Sequence, residues 1–540
     1  MSGLLTFYQN KVKAFSLSPI YKNFGQWFWV EWFITVGFIF FLILITIDKG
    51  ASLHQDEFVI IDLGKNILNS DSNSSIAWLI DRQQPAFLVT YLGVVIQEIV
   101  YEYIGQYGPR IFGLLGAIAA ATSLVGWLIA RGTSRKITFL LGLIFLLDPL
   151  ILHSYTTGRI DGWAMFLSLS SCWVLRNTHH FYSKKLIFNI RLVMAGALAS
   201  LAVFIWPSAI FLYPLIILEL IRLTRKGREK SGDFKESFNL LLVFFMGGII
   251  SIIFLLIPVF GQILAQLDLA KETINANSHA GSSGVIGIQS ILGNLTELLR
   301  VLKFSPFIVL FAIIACLTLK QTKIILSIFV VLAVMVLTLV YINRVQYLIP
   351  YFIVAISSMF HKGHHQGFSR ILRIGGIGIL LFWSIGLSLG VRTNLAFDRQ
   401  DERDRTLLNQ AAISMLGPGD HKVYIPYEFY YSGRSLNWRM YKEYSAYNNK
   451  MNLENWKMFL SCVDFVIIRD YSEVVDMEII NEGFADKGIF HLYEKPPEPF
   501  NGVTENEVWI RHLFNIYLKP YGPYRLYARE IKKLSPILTN

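Results

Sequence analysis

Apolar runs of about 18 residues or more recur along this chain from Trp27 to Gly390, each long enough to cross a bilayer as a helix. No other feature restricts the fold as much, because one soluble core cannot hide so many continuous apolar helices. Charge points the same way: 16% of the 540 residues are Asp, Glu, Lys or Arg, against about 25% in soluble domains. The chain therefore reads as a polytopic α-helical membrane protein with about 11–13 transmembrane helices. The first run lacks a small-residue cleavage site and reads as an anchor rather than a signal peptide.

The formal charge of +11 would suit nucleic acid. Most Lys and Arg residues instead lie in short loops between apolar runs, the distribution of the positive-inside rule, so no nucleic-acid partner is expected. Candidate spans fall near 27–47, 86–104, 110–130, 137–153, 160–177, 190–206, 207–223, 238–258, 303–319, 323–341, 346–361 and 372–391. The basic loops are 131–136, 176–185, 222–230, 320–323 and 361–373. Placing these and the N-terminus in the cytoplasm puts the Asp56 loop (48–85), the turn 156–161, the loop 261–300 and the region from 392 outside. Twelve full crossings would return the C-terminus to the cytoplasm. The weakest candidate is 86–104, which carries Gln97, Glu98 and Glu102 where hydrocarbon penalises charge. The expected setting is a bacterial inner or plasma membrane, with the N-terminus cytoplasmic and the C-terminal domain extracytoplasmic.

Beyond residue 392 the pattern changes. HKVYIPYEFYY, CVDFVIIRDY and KGIFHLYEK cluster β-formers, and ERDRTLLNQAAISMLGPGD has helical spacing with a Gly-Pro-Gly stop. The expected organisation is a membrane domain over 1–391 and a small soluble α/β domain over 392–540. The stretch RHLFNIYLKPYGPYRLYAREIKK reads as a packed helix with a basic face, or as a segment resting on anionic headgroups. Cys172, Cys316 and Cys462 imply no disulfide framework.

Three polar features fall on one expected face. Asp56 and Glu57 precede FVIIDLGKNIL, whose Phe58, Ile61, Leu63, Ile67 and Leu68 form an apolar stripe suited to a helix lying in the interface. Arg82, Gln83 and Gln84 precede a proline that suits a first helical turn. Arg159 and Asp161 occupy the turn after LLDPLILHSYTTG. The loop 261–300 has a Ser/Gly-rich centre around His279, and loops of this length are often functional.

In that order, these motifs resemble the GT-C superfamily of membrane glycosyltransferases, in the branch of the protein O-mannosyltransferases and lipid A aminoarabinose transferases. The resemblance covers about residues 20–390. It includes GQYGPRIFGLLGA with Arg110 for a Gly-x-x-Arg element, and NRVQYLIPYF with Arg344, Tyr347 and Pro350 for an Arg-x-x-Tyr-x-x-Pro element. It implies transfer of a sugar from a polyprenyl-phosphate donor to a hydroxyl of a glycan, lipid or protein, with inversion. Asp56 is then the expected base, with Glu57 and Asp161 in catalytic support. Substrate contacts fall to Arg82, Gln83, Gln84, Arg110, Arg159, His279, Arg344 and Tyr347. A divalent cation (Mg, Mn or Zn) at Glu57 and Asp161 could share the phosphate charge. One departure concerns the donor: relatives carry an acidic-Lys pair where this chain has Gln83-Gln84.

Other classes are open to a chain like this. A secondary transporter would use the breaks at Asp148-Pro149 and Trp206-Pro207, although no matching halves are visible. A polysaccharide polymerase or ligase would depend on external arginines rather than on an early acidic pair.

Overall fold

The computed structural model describes residues 19–47, 49, 55–68, 91–231, 234–261, 288–337, 342–361, 370–397, 404–441, 457, 460–469, 473–492 and 521–530. Every candidate span contains helix. Among the described residues, six helices are long and apolar enough to cross a membrane: Trp27–Ile45, Gly108–Ala130, Lys185–Ile205, Pro207–Glu229, Lys235–Val259 and Arg373–Asn394. Arg135–Leu146 and Pro149–Thr156, bent by 54° at Asp148-Pro149, make a seventh if they count as one span. The protein is a multi-pass integral membrane protein.

The helices that position the site are α1 (Pro19–Ile45), α2 (Gln55–Leu68), α3 (Tyr91–Ile104), α4 (Gly108–Ala130), α5 (Arg135–Leu146), α6 (Pro149–Thr156) and α7 (Asp161–Thr178). They continue with α8 (Lys185–Ile205), α9 (Tyr213–Ser231) and α10 (Phe234–Leu256). Small residues let the long helices touch backbone to backbone. A Cβ on Gly162 in α7 would lie 2.5 Å from the Ala117 nitrogen of α4, and one on Gly196 in α8 would lie 2.0 Å from the Phe244 carbonyl oxygen of α10.

The expected basic loops do gather at one end. Arg131, Arg176 and Arg222 converge on the buried carboxylate of Glu219, which also accepts from the Trp127 indole. His361 lies 3.3 Å from the Thr133 hydroxyl, and Gln321 bonds the Ala355 carbonyl and Ser358. At about 1.5 Å per residue α4 runs some 34 Å, enough to cross the hydrocarbon layer. It therefore puts Arg110 at the end of the bundle opposite Arg131.

Helix α3 covers the described part of the weakest candidate span, 91–104. Its 14 residues would reach only about 21 Å. Its buried Glu98 pairs with Arg434, far along the chain, so it belongs to the layer capping the Arg110 end. Helix α2 differs from its expected place. It starts as the sequence suggests, with Asp56 and Glu57 in its first turn and Lys65 in its last, matching the helix dipole. It does not lie on lipid: Phe58 through Leu63 are all buried. On one side it meets α3, where a Cβ on Gly64 would clash at 2.2 Å with the Val94 carbonyl oxygen. On the other, Phe58 packs on the rings of Tyr427, Tyr430 and Tyr431 at 5.2–6.3 Å; such pairs each add about 0.5–1.5 kcal/mol beyond area burial. Its polar flank is used too, since Asp62 accepts from the Tyr430 hydroxyl at 3.2 Å.

The later helices are α11 (Ile288–Leu302), α12 (Pro306–Thr318), α13 (Thr322–Leu337), α14 (Ile349–Ser357), α15 (Arg370–Leu381), α16 (Gly390–Phe397) and α17 (Arg405–Met415). Beyond them lies a five-stranded sheet in the order β2-β1-β3-β5-β4, built from Lys422–Tyr424, Arg439–Tyr441, Phe465–Arg469, Phe484–Phe490 and Tyr524–Arg529 numbered along the chain. Strands β1, β2 and β3 run parallel, whereas β5 is antiparallel to β3 and β4.

Two expectations fail here. YEFYY is not strand but a 3₁₀ turn followed by α18 (Tyr430–Ser435), because Pro426 ends the extended run. Within the basic aromatic stretch, Tyr524–Arg529 is an inner strand, its Val466↔Tyr527 and Asp486↔Tyr527 pairs filling both edges, whereas 511–520 and 531–533 lie outside the described residues.

Candidate active site

The turn between α6 and α7 builds the centre. Asp148 caps α6 by accepting from the Leu150 amide, and the helix ends at Thr156. Gly158 follows with φ +69, a left-handed conformation that glycine adopts without strain. A Cβ there would press within 3.0 Å of the Glu57 Cγ, so the turn closes against α2. Gln97 of α3 donates to the Gly158 carbonyl. Arg159 is thereby held beside the first turns of both α2 and α7.

Its guanidinium joins two carboxylates. Nη1 donates to Asp56 Oδ2 at 2.5 Å and Nε donates to Asp161 Oδ2 at 2.7 Å, with the Trp206 ring 5.3 Å beneath. Asp56 Oδ2 also accepts from Asn343 Nδ2 at 2.8 Å, and Asp161 Oδ1 accepts from the Tyr347 hydroxyl at 3.0 Å. Arg344 lies within electrostatic reach of Arg159 and Asp161. Two carboxylates and two guanidiniums thus share one cluster. Asp161 is sealed, whereas the Asp56 side chain retains 24% of its exposure, so Asp56 is the carboxylate an incoming group can meet.

Glu57 goes elsewhere. Consecutive residues of an α-helix point about 100° apart, so the acidic pair serves two neighbourhoods. Glu57 is fully buried and accepts from Arg110 Nε and Nη2 at 3.1 and 3.0 Å and from the Tyr431 hydroxyl at 2.8 Å. Arg405 Nη2 adds an ion pair at 3.9 Å. Arg110 is also fully buried, and its Nη1 donates to the Ile47 carbonyl. Both residues tie α2 to its neighbours. Burial, the largest influence, lowers the proton affinity of Arg405, but Glu57 together with Tyr521, Tyr431 and Tyr107 outweighs it and the net effect is upward.

Of the residues singled out in the sequence, Asp56, Arg159, Asp161, Arg344 and Tyr347 come together. Glu57 and Arg110 stand directly behind them. Arg82, Gln83, Gln84 and His279 lie outside the described residues. Sequence reasoning missed Asn343, Trp206, Tyr431 and Arg405. Asn343 immediately precedes Arg344 in the quoted motif, and its buried Oδ1 has no donor. Trp206 belongs to the recognised Trp-Pro break, and its extended backbone there presents the ring.

The donor set does not suit a metal at Glu57 and Asp161. Both oxygens of Glu57 and both of Asp161 accept from Arg or Tyr. Among the described residues no three His, Cys, Asp or Glu side chains converge as ligands.

The bundle, the capping layer and the sheet define a polytopic membrane protein of GT-C-like fold. Among solved structures the chain is similar to ArnT from Cupriavidus metallidurans bound to undecaprenyl phosphate, with a TM-score of 0.55, 9% identity, and coverage of 94% of this chain and 99% of that one. Weaker likenesses link it to the oligosaccharyltransferase of Archaeoglobus fulgidus tethered to an acceptor peptide (TM-score 0.44, 11% identity, covering 82% of this chain and 70% of that one). The AglB enzyme of the same organism, with an inhibitory peptide and a dolichol-phosphate, gives 0.39 at 12% identity over the same shares. No protein-family model matches the sequence, and no curated protein matches it.

Proposed function

We propose that the protein transfers a sugar from a polyprenyl-phosphate donor to an acceptor hydroxyl of a glycan, lipid or protein, on the extracytoplasmic side of a bacterial membrane. The observation that carries this reading is the partly open Asp56 carboxylate, held by Arg159 and Asn343 within a fold shared with ArnT. A long prenyl chain, at about 0.8 kcal/mol per buried methylene, keeps the donor in the bilayer with its phosphate at the rim. Asp56 is fixed at the end of the bundle by α2 and its protein cover.

In this reading the donor phosphate is met by Arg159 and Arg344, since guanidiniums bind phosphate oxygens bidentately. The phosphate competes with Asp56 for Arg159 and so exposes the Oδ2 lone pairs. Asp56 then takes the acceptor proton as the acceptor oxygen attacks the anomeric carbon. The bond from that carbon to the phosphate oxygen breaks, and its electron pair leaves on the lipid phosphate. One displacement inverts the anomeric centre. Asn343 Oδ1, buried without a donor, offers a seat for a substrate hydroxyl. Tyr347 and Asp161 keep Arg159 in place while its partner changes.

The test is purified protein incubated with a panel of polyprenyl-phosphate sugars, with products read by mass. Asp56→Asn is expected to fold and to lose about 10²–10⁴ in turnover, the range for a general base. An Asn variant that turns over as the parent does refutes the assignment.

A further inference from the structure

At the end of the bundle opposite Asp56, three arginines share one acid. Arg131 closes α4, Arg176 lies in the last turn of α7 and Arg222 stands on α9. All three reach the buried carboxylate of Glu219. Arg131 Nη1 donates to Oε1 at 3.1 Å, while Arg222 Nε and Arg176 Nη1 donate to Oε2 at 2.9 and 3.4 Å. The Trp127 indole also donates to Oε1, at 3.0 Å. One arginine would neutralise Glu219. Three leave two positive charges over, with no other carboxylate within ion-pair distance of them among the described residues.

Their unused donors form a set. Arg176 Nε is spent on the Ala130 carbonyl, and Arg222 Nη2 on the Arg176 carbonyl. Arg131 Nη2, Arg176 Nη2 and Arg222 Nη1 donate to no described residue, and Arg131 Nε is buried without an acceptor. Each guanidinium touches the same carboxylate, so these nitrogens from three helices lie within the span of one lipid headgroup. The three side chains keep 17–19% of their exposure, which lets a group from outside meet them.

The height of the cluster identifies the partner. On α9 the exposed Ile217 and Ile221 are followed, at the same four-residue spacing, by the exposed Arg225. The chain entering α8 passes from exposed Lys184 and Lys185 to exposed Leu186 and Ile190. Apolar outer surface thus gives way to charge at this level, as it does where hydrocarbon meets headgroups. An anion that brings its own apolar chains matches both surfaces; a free ion matches only one.

We propose that Arg131, Arg176 and Arg222 form a seat for the phosphate of an anionic phospholipid, whose chains lie along Ile217 and Ile221. Guanidiniums bind phosphate oxygens bidentately, and basic pockets between membrane helices take anionic headgroups. The phosphate joins the ends of α4, α7 and α9. Because α4 carries Arg110 at its other end and α7 begins at Asp161, the lipid braces the helices of the candidate active site from their far side. This binding stands apart from the transfer reading, and a protein that transfers no sugar would still show it.

The experiment uses the full-length protein in a neutral detergent. It is titrated with phosphatidylglycerol, with phosphatidylcholine of the same chains and with inorganic phosphate, and read by native mass spectrometry and melting temperature. Phosphatidylglycerol is expected to bind and to raise the melting temperature, with an affinity that falls as salt rises. Arg176→Gln leaves Glu219 paired with Arg131, Arg222 and Trp127. Its lipid-free melting temperature should stay near the parent's while phosphatidylglycerol binds about tenfold more weakly, and Arg176→Lys recovers part of the loss. Glu219→Gln works in the opposite direction. It melts lower without lipid, because three arginines lose their carboxylate, yet it binds phosphatidylglycerol more tightly than the parent does. A cluster that only ties helices together predicts an unchanged lipid affinity in Arg176→Gln. That result overturns the proposal even where Glu219→Gln fails to fold. Equal binding of phosphatidylcholine, or displacement of the lipid by inorganic phosphate, overturns it as well.

Discussion

The two neighbouring carboxylates should respond to mutation in opposite ways. In Glu57→Gln the amide keeps the shape but cannot carry the charge that Arg110 and Arg405 require. The Glu57–Arg110 pair has no solvent exposure on either side, so screening does not discount it. Breaking a buried pair by neutralising one partner costs about 3–5 kcal/mol. A Gln that still accepts one hydrogen bond recovers part of that, which puts the expected loss near 3 kcal/mol, about two powers of ten in the folding equilibrium. Asp56→Asn is different. Its side chain is 24% exposed, its amide oxygen can still accept from Arg159 and Asn343, and solvent screens the lost charge, so less than about 1 kcal/mol is expected. The assay is reversible unfolding of both variants in mixed detergent micelles, followed by tryptophan fluorescence. Equal losses, or a Glu57→Gln within about 1 kcal/mol of the parent, would show that Glu57 does not hold α2 and that the division of labour is wrong.

Tyr347→Phe removes the hydroxyl that donates to the buried Asp161; turnover should fall about tenfold to a hundredfold with the fold intact, measured as kcat on the preferred donor. Arg434→Met cuts the bonds to Glu98 at 2.8 and 2.9 Å; amide hydrogen exchange in 430–441 should rise while exchange in α4 stays unchanged. Gly196→Leu places side-chain atoms where a Cβ already meets the Phe244 carbonyl oxygen at 2.0 Å; the yield of monodisperse protein and its melting temperature should both drop.

The sequence located the apolar helices, because composition over a window of helix length is a local signal, but of the twelve candidate spans only six or seven of the described helices are long and apolar enough to cross a membrane. The gathering of the basic loops was also legible, since charge in short loops needs no knowledge of packing. The set Asp56, Arg159, Asp161, Arg344 and Tyr347 could be found because each lies in an ordered motif at a helix end. What the sequence hid depends on distant contacts. The stripe on α2 reads the same whether lipid or Tyr427, Tyr430 and Tyr431 cover it. Those tyrosines lie more than 360 residues away, and Tyr431 reaches Glu57 across 374 positions. The split between Asp56 and Glu57 follows from helix geometry once both sides are filled, which only the fold reveals. Strand β5 was missed because an aromatic-basic run has no period of its own until β3 and β4 pair with it.

The bend at Asp148 has a mechanical consequence. Its carboxylate caps α6, and the Ser305 hydroxyl at the head of α12 lies 2.8 and 2.9 Å from its two oxygens. Two helices from distant parts of the bundle are thus riveted at one dry point beneath the loop that bears Arg159. A carrier that swings between two openings would have to pull that rivet out on every cycle, leaving the buried carboxylate with only the amide end of its own helix. A stationary bench, visited by reactants from one side only, never has to.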